Sequence, residues 1–484
     1  MLLSKQAASL WPYRRHTYHR GVRGPQRLTG LDASFLNLET DNQPVQVFAV
    51  LELDTSTIPG GYDYARFRDE LGVRMRGVPA FQEKLSVNAF DIDHPAWVRD
   101  TDFDIDRHVH RIGLRAPGGP AELAEVCGPL SSLPVDRSGP LWEMWVIEGA
   151  DGPLDGDRLY VLLKMHHAAA DGVTYAEFLS QLCGDQPDPP PPLPVLPAEA
   201  GTALQMTMTG LAGFLLRPLR LLSTVVPGTI SAVRDIIART RAGRAMAAPF
   251  SAPRTSLNRR FSIRRSVAFA RLDLDDVKQV KNHFGVTVND VVMALASGVV
   301  RQFLLERGEL PTSSLVALVP ASVHEKTDRP ARNKVSGMFT RLQTQIADPV
   351  ERLMALAEAN TIAKEQSSAI GATLLQDGFE IFGSAAMGIA KRVYGFVTQY
   401  RPMYNVIVSN VPGPRAASYF MGAQVAAGYP FGPVLLGAGL NITVWTVNGK
   451  LYFGLISCPE LVPDLSGMAD GLSAILAELL AEID

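Results

Sequence analysis

The sequence predicts an α/β (or α+β) protein with two domains, in which both halves of the chain mix strands and helices. A length of 484 residues is enough for two domains of ordinary size. Between Gln186 and Pro197 the chain is rich in proline, which favours a stiff, extended linker. On either side of this linker, apolar runs of strand length alternate with helical patterns.

Four segments follow from this linker. We expect a basic extension over residues 1–28, an amino-terminal domain over 29–185, a proline-rich linker with a helical insert over 186–257, and a carboxyl-terminal domain over 258–484. The uncharged run Gly201–Leu216 has 16 residues, fewer than the roughly 18 to 20 apolar residues of a spanning helix. Arginines follow it, so the insert is predicted either to lie on a lipid surface or to pack on the domains as a crossover.

The first half contains the most informative stretch of the chain. The apolar run Leu159–Met165 predicts a strand that leads into two histidines. Because side chains alternate along a strand, His167 falls on its wholly apolar face and His166 on the more polar one. Asp171 then precedes a predicted helix and can cap its first-turn amides, and Gly172 permits a tight turn. The sequence therefore predicts a short loop that carries two imidazoles and a carboxylate.

These side chains allow two interpretations. A histidine has an unperturbed pKa of about 6.5, which suits the removal of a proton from an alcohol near neutral pH. The structural alternative is a buried core histidine beside a helix-capping aspartate. For a single histidine we would favour the structural alternative, but here the two histidines and Asp171 form an ordered set.

In the second half, helices are predicted over 275–283 and 288–306. Thr287 and Asp290 form a capping-box pattern with aspartate in place of the usual glutamate. Helix initiation therefore explains Asp290 but not Asn289. Asn289 is a candidate for polarising an oxyanion or for positioning Asp290.

Several motifs occur in the order typical of one enzyme superfamily. The stretch 166–172 reads HHxxxDG and resembles the motif of the acyl-CoA-dependent acyltransferases, which include chloramphenicol acetyltransferase and peptide-synthetase condensation domains. From about residue 29 to its end, the chain resembles the bacterial wax ester synthase/diacylglycerol acyltransferases. The further motifs that carry this resemblance are Pro140-Leu141-Trp142 (PLW), Asn289-Asp290 (ND), Leu31–Leu36 (LDASFL) and Val408–Pro414 (VSNVPGP).

The resemblance implies a fold, a reaction and residue roles. The fold would be two chloramphenicol-acetyltransferase-like domains, each a mixed sheet flanked by helices, with a tunnel at their interface. His167 would be the general base that takes the proton of an acceptor hydroxyl, which then attacks an acyl-CoA thioester. Asp171 would orient the loop, and His166 would support it. No cofactor is implied, because acyl-CoA is a co-substrate.

Other residues are open to structural interpretations. Proline fits the first residue of a strand and Trp142 has a large apolar surface, so PLW is at least as well explained by packing as by a substrate channel. His108 and His110 lie near two aspartates, but their alternation is typical of an exposed strand, so no metal site is predicted. Many relatives have an arginine soon after the segment Pro320–Val323. Here His324 and Glu325 follow, so we assign no family role to this position.

Composition excludes several classes of function. The chain has 46 basic and 49 acidic residues, and this net charge of -3 argues against a nucleic-acid binder. Cys127, Cys183 and Cys458 are far apart and form neither a metal pattern nor a disulfide framework, which favours a reducing cytoplasm. There is no P-loop or dinucleotide fingerprint, so acyl-CoA would be bound through a tunnel and scattered basic groups.

The predicted function is transfer of a fatty acyl group from acyl-CoA to diacylglycerol, giving triacylglycerol, or to a long-chain alcohol, giving a wax ester. The protein would be cytoplasmic and peripherally bound to the inner membrane face or to lipid droplets. Two alternatives remain at this stage. One is a soluble acyltransferase for a small-molecule, polyketide or peptide acceptor, and the other is a non-catalytic lipid-binding protein with a relic site.

Overall fold

A computed structural model describes most of both predicted domains. It covers residues 25–86, 94–149, 157–199, 245–322, 332–333, 335–370, 395–398, 400–411, 413 and 418–483, with isolated positions between 205 and 241. The predictions for the basic extension up to residue 24, for most of the insert, and for His324 and Glu325 lie outside these residues.

Strands form two large mixed sheets and one small one, which confirms the predicted α/β class. The first sheet has seven strands in the order β5-β6-β7-β2-β14-β13-β8, the second has six in the order β11-β10-β12-β15-β16-β9, and the third has the order β1-β4-β3. The strands are β1 Gln26–Arg27, β2 Gln46–Asp54, β3 Glu83–Leu85, β4 Ala96–Arg99, β5 Val109–Gly113, β6 Trp142–Glu148, β7 Arg158–His166, β8 Cys183–Gly184, β9 Ser266–Asp273, β10 Val316–Ser322, β11 Val335–Arg341, β12 Val406–Val411, β13 Tyr419–Phe420, β14 Ala423–Phe431, β15 Leu440–Val447 and β16 Lys450–Ser457.

Strand β7 occupies the centre of the first sheet, and both of its faces are covered, including the more polar face that carries Lys164 and His166. Every residue after Arg158 is buried, as expected for a strand covered on both sides. It pairs antiparallel with β2 and with β6, and the register places His166 opposite Gln46. The two histidines therefore leave the sheet at its middle, beside the start of β2.

The chain crosses between the two large sheets. Strand β14 pairs antiparallel with β2, so residues of the carboxyl-terminal half complete the sheet of the amino-terminal half. Strand β13 continues this sheet to β8. The predicted domain boundary at residue 258 stays a prediction. The first sheet contains strands from both sides of this boundary.

Helices cover the sheets and join the two halves. The helices are α1 Gly30–Leu38, α2 Tyr64–Met75, α3 Pro120–Ser132, α4 Gly172–Leu182, α5 Leu274–Phe284, α6 Val288–Glu306, α7 Pro349–Ile370 and α8 Leu465–Leu480. Helix α6 packs against α5, α7 and α8 over the second sheet, while α3 of the first half packs against β9 of the second half.

Helix α6 is 19 residues long and apolar enough to meet the length and composition of a membrane span. Two thirds of its apolar window is buried against the rest of the protein (67%). Burial to this extent is typical of a core helix, and the packing of α6 between three other helices agrees with it.

Gly128 allows the close contact between α3 and the second half. A Cβ atom at this position would lie 2.7 Å from the backbone oxygen of Arg265, which has little freedom to move. We expect Gly128→Ala to lower the free energy of unfolding, because overpacking costs about 1–3 kcal/mol. The better helix propensity of alanine offsets only about 1 kcal/mol of this loss.

Urea unfolding followed by circular dichroism measures this effect. Gly471→Ala is the matched control, since a Cβ atom in that helix would meet only the Val299 side chain, at 3.3 Å. We expect the control variant to be as stable as the wild type or more stable. Equal stability of the Gly128 and Gly471 variants would contradict a tight α3 contact.

Candidate active site

His166 is a buried residue that anchors the histidine loop. Its Nδ1 atom accepts a hydrogen bond from the backbone N–H of Ala168 (3.0 Å), so the proton of the neutral ring is on Nε2. Nε2 faces the Glu39 carboxylate at 3.3 Å, and Glu39 also pairs with Arg137. Burial lowers the pKa of His166. This imidazole therefore holds the loop against the end of α1, in line with the supporting role expected for it.

His167 is the more accessible of the two histidines. Its backbone N–H donates to Val45 (2.8 Å), and its half-buried ring stacks on Phe35, with 4.1 Å between ring centroids. Nδ1 lies 3.0 Å from Oδ1 of Asn333. Burial lowers the pKa of His167, and the nearby Asp171 carboxylate opposes this effect. The imidazole is therefore held neutral near pH 7, as a general base must be.

Asp171 is the N-cap of α4, as the sequence predicts. Its Oδ1 accepts the N–H of Thr174 at 2.8 Å, and its backbone carbonyl accepts the N–H of Tyr175 at 2.8 Å. The side chain is buried, with 4% exposed. This carboxylate fixes the start of the helix that follows the histidines, and its charge acts to raise the pKa of His167.

Gly172 brings the two halves of the protein close to the histidine loop. A Cβ atom at this position would lie 3.1 Å from Cγ2 of Val411, which is the last residue of β12. Val411 belongs to the VSNVPGP motif, so a motif of the carboxyl-terminal half lies against the HHxxxDG loop. Gly172 thus serves close packing between the domains.

Asn333 is the residue that sequence reasoning missed. It is fully buried, and its side chain bridges Asp32 of α1 and the backbone of His167. Asn333 is 166 positions from His167 in the chain, and no local pattern marks it. The LDASFL motif, which contributes to the family resemblance, provides both Asp32 and Phe35 to this site.

The ND residues lie at the start of α6 in the second half. Asp290 accepts hydrogen bonds from the backbone N–H and hydroxyl of Thr287 (2.9 and 2.7 Å), which confirms the predicted capping box. It also accepts a hydrogen bond from Asn360 at 2.7 Å. Asn289 is half-buried, and the described part of the chain gives no hydrogen bond between it and the histidine loop. A direct catalytic role for Asn289 stays a prediction.

The PLW residues pack in the first sheet. Trp142 is fully buried, and its Nε1 donates to the Phe81 carbonyl at 3.0 Å. Its ring meets Phe81 edge-on and stacks on His108, with centroids 5.3 and 4.6 Å away. Strand β6 begins at Trp142, two residues after Pro140. These contacts fit the packing interpretation of the motif, and they correct the solvent-facing position expected of His108, which is buried.

Potential metal ligands are not clustered in the residues that the structure describes. Within them, no group of three or more histidine, cysteine, aspartate or glutamate side chains could hold a metal ion. Cys127, Cys183 and Cys458 are free thiols. The site instead offers a neutral imidazole, a buried amide and two buried carboxylates where the two halves meet.

Comparison with known proteins identifies the family of this chain. Residues 28–292 match the family described as the wax ester synthase/diacylglycerol acyltransferase catalytic domain, and residues 332–480 match the corresponding carboxyl-terminal domain. A Mycobacterium tuberculosis (strain H37Rv) protein named "Putative diacyglycerol O-acyltransferase" is 50% identical over 461 residues, which are 95% of this chain and 91% of that protein. A second protein of that strain with the same description is 32% identical, over 94% of this chain and 97% of its own length.

Solved structures show the same fold. The wax ester synthase/diacylglycerol acyltransferase from Marinobacter aquaeolei VT8 superposes with a TM-score of 0.67 and 26% identity, covering 95% of this chain and 99% of that one. The first condensation domain of the CDA synthetase shares the fold with a TM-score of 0.56 and 15% identity, over 96% and 97% of the two chains. The chain is therefore an acyltransferase and belongs to the wax ester synthase/diacylglycerol acyltransferase family.

Proposed function

We propose that this acyltransferase moves a fatty acyl group from acyl-CoA to the hydroxyl of diacylglycerol or of a long-chain alcohol, with His167 as the general base. The observation that carries the proposal is the environment of His167. It is a half-buried imidazole with a lowered pKa, directly after the central strand β7 and beside the meeting point of the two halves. The relatives are named for these two reactions.

In the proposed reaction, His167 first accepts a proton and later returns it. His167 takes the hydroxyl proton as the alkoxide oxygen attacks the thioester carbonyl carbon. The tetrahedral oxyanion then collapses, the C–S bond breaks, and the CoA thiolate recovers the proton from the imidazolium. General-base catalysis supplies about 10²- to 10⁴-fold of the rate. Alignment of the reactants and oxyanion donors supply the rest, and Asn289 is our candidate for such a donor.

Asp171 and His166 have supporting roles in this proposal. Asp171 holds the loop by capping α4, and its charge limits how far burial lowers the pKa of His167. His166 fixes the other side of the loop through Ala168 and Glu39. Gly172 keeps the second half close, and the PLW residues support the sheet beneath the loop.

The test is acceptor-dependent release of CoA from palmitoyl-CoA, followed with a thiol reagent. Dioleoylglycerol and hexadecanol are offered separately, and a short soluble alcohol is offered as a third acceptor. We expect CoA to be released only when one of the two lipid acceptors is present. We also expect an ester product whose mass matches that acceptor. Release with the soluble alcohol alone would favour the small-acceptor alternative, and no release with any acceptor would favour the non-catalytic one.

We also propose that the protein binds peripherally to the cytoplasmic membrane face or to lipid droplets through its insert. Met208, Leu211 and Ile237 are exposed apolar side chains in this segment. Arg234 and Arg241 are exposed as well. Apolar and basic side chains together are typical of a segment that lies on an anionic lipid surface.

Neutralising the insert arginines tests this proposal. We expect Arg234→Gln with Arg241→Gln to weaken co-sedimentation with vesicles of anionic phospholipid by on the order of tenfold, since each basic residue contributes about 1 kcal/mol near such a surface. Arg107→Gln with Arg264→Gln is the matched control, because both side chains are exposed but lie outside the insert. Equal binding of the two double variants would contradict the proposed surface.

A further inference from the structure

A short segment of the carboxyl-terminal half reaches into the amino-terminal half beside the histidine loop. The backbone carbonyl of Arg332 accepts the Thr174 hydroxyl at 2.7 Å. The guanidinium of Arg332 lies 3.8 Å from the centroid of the Trp97 ring and pairs with Glu83. These contacts fix the segment from two directions, and the residue that follows is the fully buried Asn333.

The surroundings of Asn333 determine which way its side-chain amide is turned. Oδ1 of Asp32 accepts both the backbone N–H (3.0 Å) and the Nδ2–H (2.8 Å) of Asn333. Nδ2 also donates to the backbone carbonyl of His167 at 2.9 Å. Both acceptors face the nitrogen of the amide, so the amide oxygen must be the atom that faces the imidazole.

This orientation decides which tautomer His167 adopts. Oδ1 of Asn333 lies 3.0 Å from Nδ1 of the ring, and the backbone carbonyl of His167 is a second acceptor for the same ring; a carbonyl oxygen can only accept. Nδ1 must therefore carry the proton, and Nε2 keeps its lone pair. Phe35, on the same helix as Asp32, stacks on the ring and fixes its plane. Helix α1 thus controls His167 both through the amide and through the aromatic contact.

We propose that Asp32 and Asn333 are positioning residues that hold His167 as the Nδ1–H tautomer, so that Nε2 is the atom that takes the proton of the acceptor hydroxyl. This inference rests on the proposed role of His167 as the base. It assigns orientation of the base to a buried carboxylate and amide, distinct from Asp171, which caps α4. The ionisable groups around His167 are Asp171, His166 and, through Asn333, Asp32.

Protonation during the reaction fits the same arrangement. When Nε2 accepts a proton, the ring becomes a cation, and its Nδ1–H bond to Asn333 becomes stronger. Oδ1 of Asp32 receives two hydrogen bonds from Asn333, and its other oxygen accepts from the backbone N–H of Thr29 at 3.1 Å. These hydrogen bonds fix the Asp32 carboxyl and oppose the effect of burial, which raises its pKa.

The tautomer can be measured directly, without reference to activity. In protein labelled with ¹⁵N-histidine, the two neutral tautomers give different nitrogen chemical shifts, and the His167 signals are those missing from His167→Gln. We expect the Nδ1–H pattern in the wild type above the pKa of His167. Asn333→Ala should move these signals part of the way toward the Nε2–H tautomer, because the backbone carbonyl of His167 remains as the other acceptor for the ring.

Activity gives the second readout. Asn333→Ala should lower kcat by about 10- to 100-fold, a part of the roughly 10²- to 10⁴-fold that a positioned general base contributes, and should leave KM for palmitoyl-CoA nearly unchanged. Asn405→Ala is the matched control, because Asn405 is equally buried and hydrogen-bonded in the other sheet. The control should lower the melting temperature without a change in the His167 signals.

The outcomes separate this inference from the proposed function. An unchanged Nδ1–H signal in Asn333→Ala would overturn the inference, whatever the activity. Acceptor-dependent CoA release that persists in His167→Gln would instead overturn the role of His167 as base, while the nitrogen shifts would still report on its tautomer. If Asn333→Ala does not fold, the wild-type spectrum decides, because a wild-type protein without the Nδ1–H pattern contradicts the proposal.

Discussion

The His167→Ala variant is expected to lose about 10²- to 10⁴-fold of its acyl transfer rate, because no other side chain replaces the base. The fold should persist, since the variant removes a half-buried ring and leaves the sheet pairing of β7 intact. Acceptor-dependent release of CoA measures the rate, and circular dichroism measures the fold. His283→Ala, which removes an exposed imidazole on α5, is the matched control and should retain full activity.

The pH profile of the wild type adds a second check on His167. Burial lowers the pKa of this imidazole, so the active, neutral form predominates above a pKa that is below the ordinary value of about 6.5. Activity should therefore be full at neutral pH and fall as the pH drops through the lowered pKa. An acid limb centred above 6.5, or full activity in His167→Ala, would contradict the assignment.

The Trp142→Ala variant is expected to have the largest effect on stability, with about 3–5 kcal/mol lost from the free energy of unfolding. The substitution would leave a cavity beside Phe81 and His108 and would remove the donor to the Phe81 carbonyl. Urea unfolding measures the loss. Trp145→Ala is the matched control on the same strand, because Trp145 is only half-buried, and we expect it to lose less.

Trp142→Phe separates packing from a role in a substrate channel. It retains an aromatic ring and loses the hydrogen bond to Phe81, so it should be intermediate in stability. If packing explains the PLW motif, the ratio of the rates with dioleoylglycerol and with hexadecanol stays the same in this variant. A changed ratio without a loss of stability would favour the channel interpretation.

Local sequence patterns predicted the elements that carry the site. The strand expected over 159–165 is observed at Arg158–His166, and the helix expected over 288–306 is observed at Val288–Glu306. The caps at Asp171 and Asp290 were predicted for the same reason. Periodicity and capping depend on residues a few positions apart, so a single sequence contains them.

Contacts between distant parts of the chain could not be predicted in this way. Asn333 is buried against Asp32 across 301 positions, and neither residue has a neighbour in the sequence that marks the pair. The insertion of β14 beside β2 is equally non-local. An alternating apolar strand shows that it pairs, but its sequence does not show with which partner or in which sheet.

The insertion of β14 has a consequence for biosynthesis. Until Phe431 has left the ribosome, the nine-residue edge of β2 has no strand to cover it, and the first sheet stays incomplete. An exposed edge of this length pairs readily with other chains, so the nascent amino-terminal half is prone to aggregation until β14 has been made. For the same reason, separate expression of residues 29–185 should give aggregates, and co-expression of a fragment that contains β14 should restore solubility.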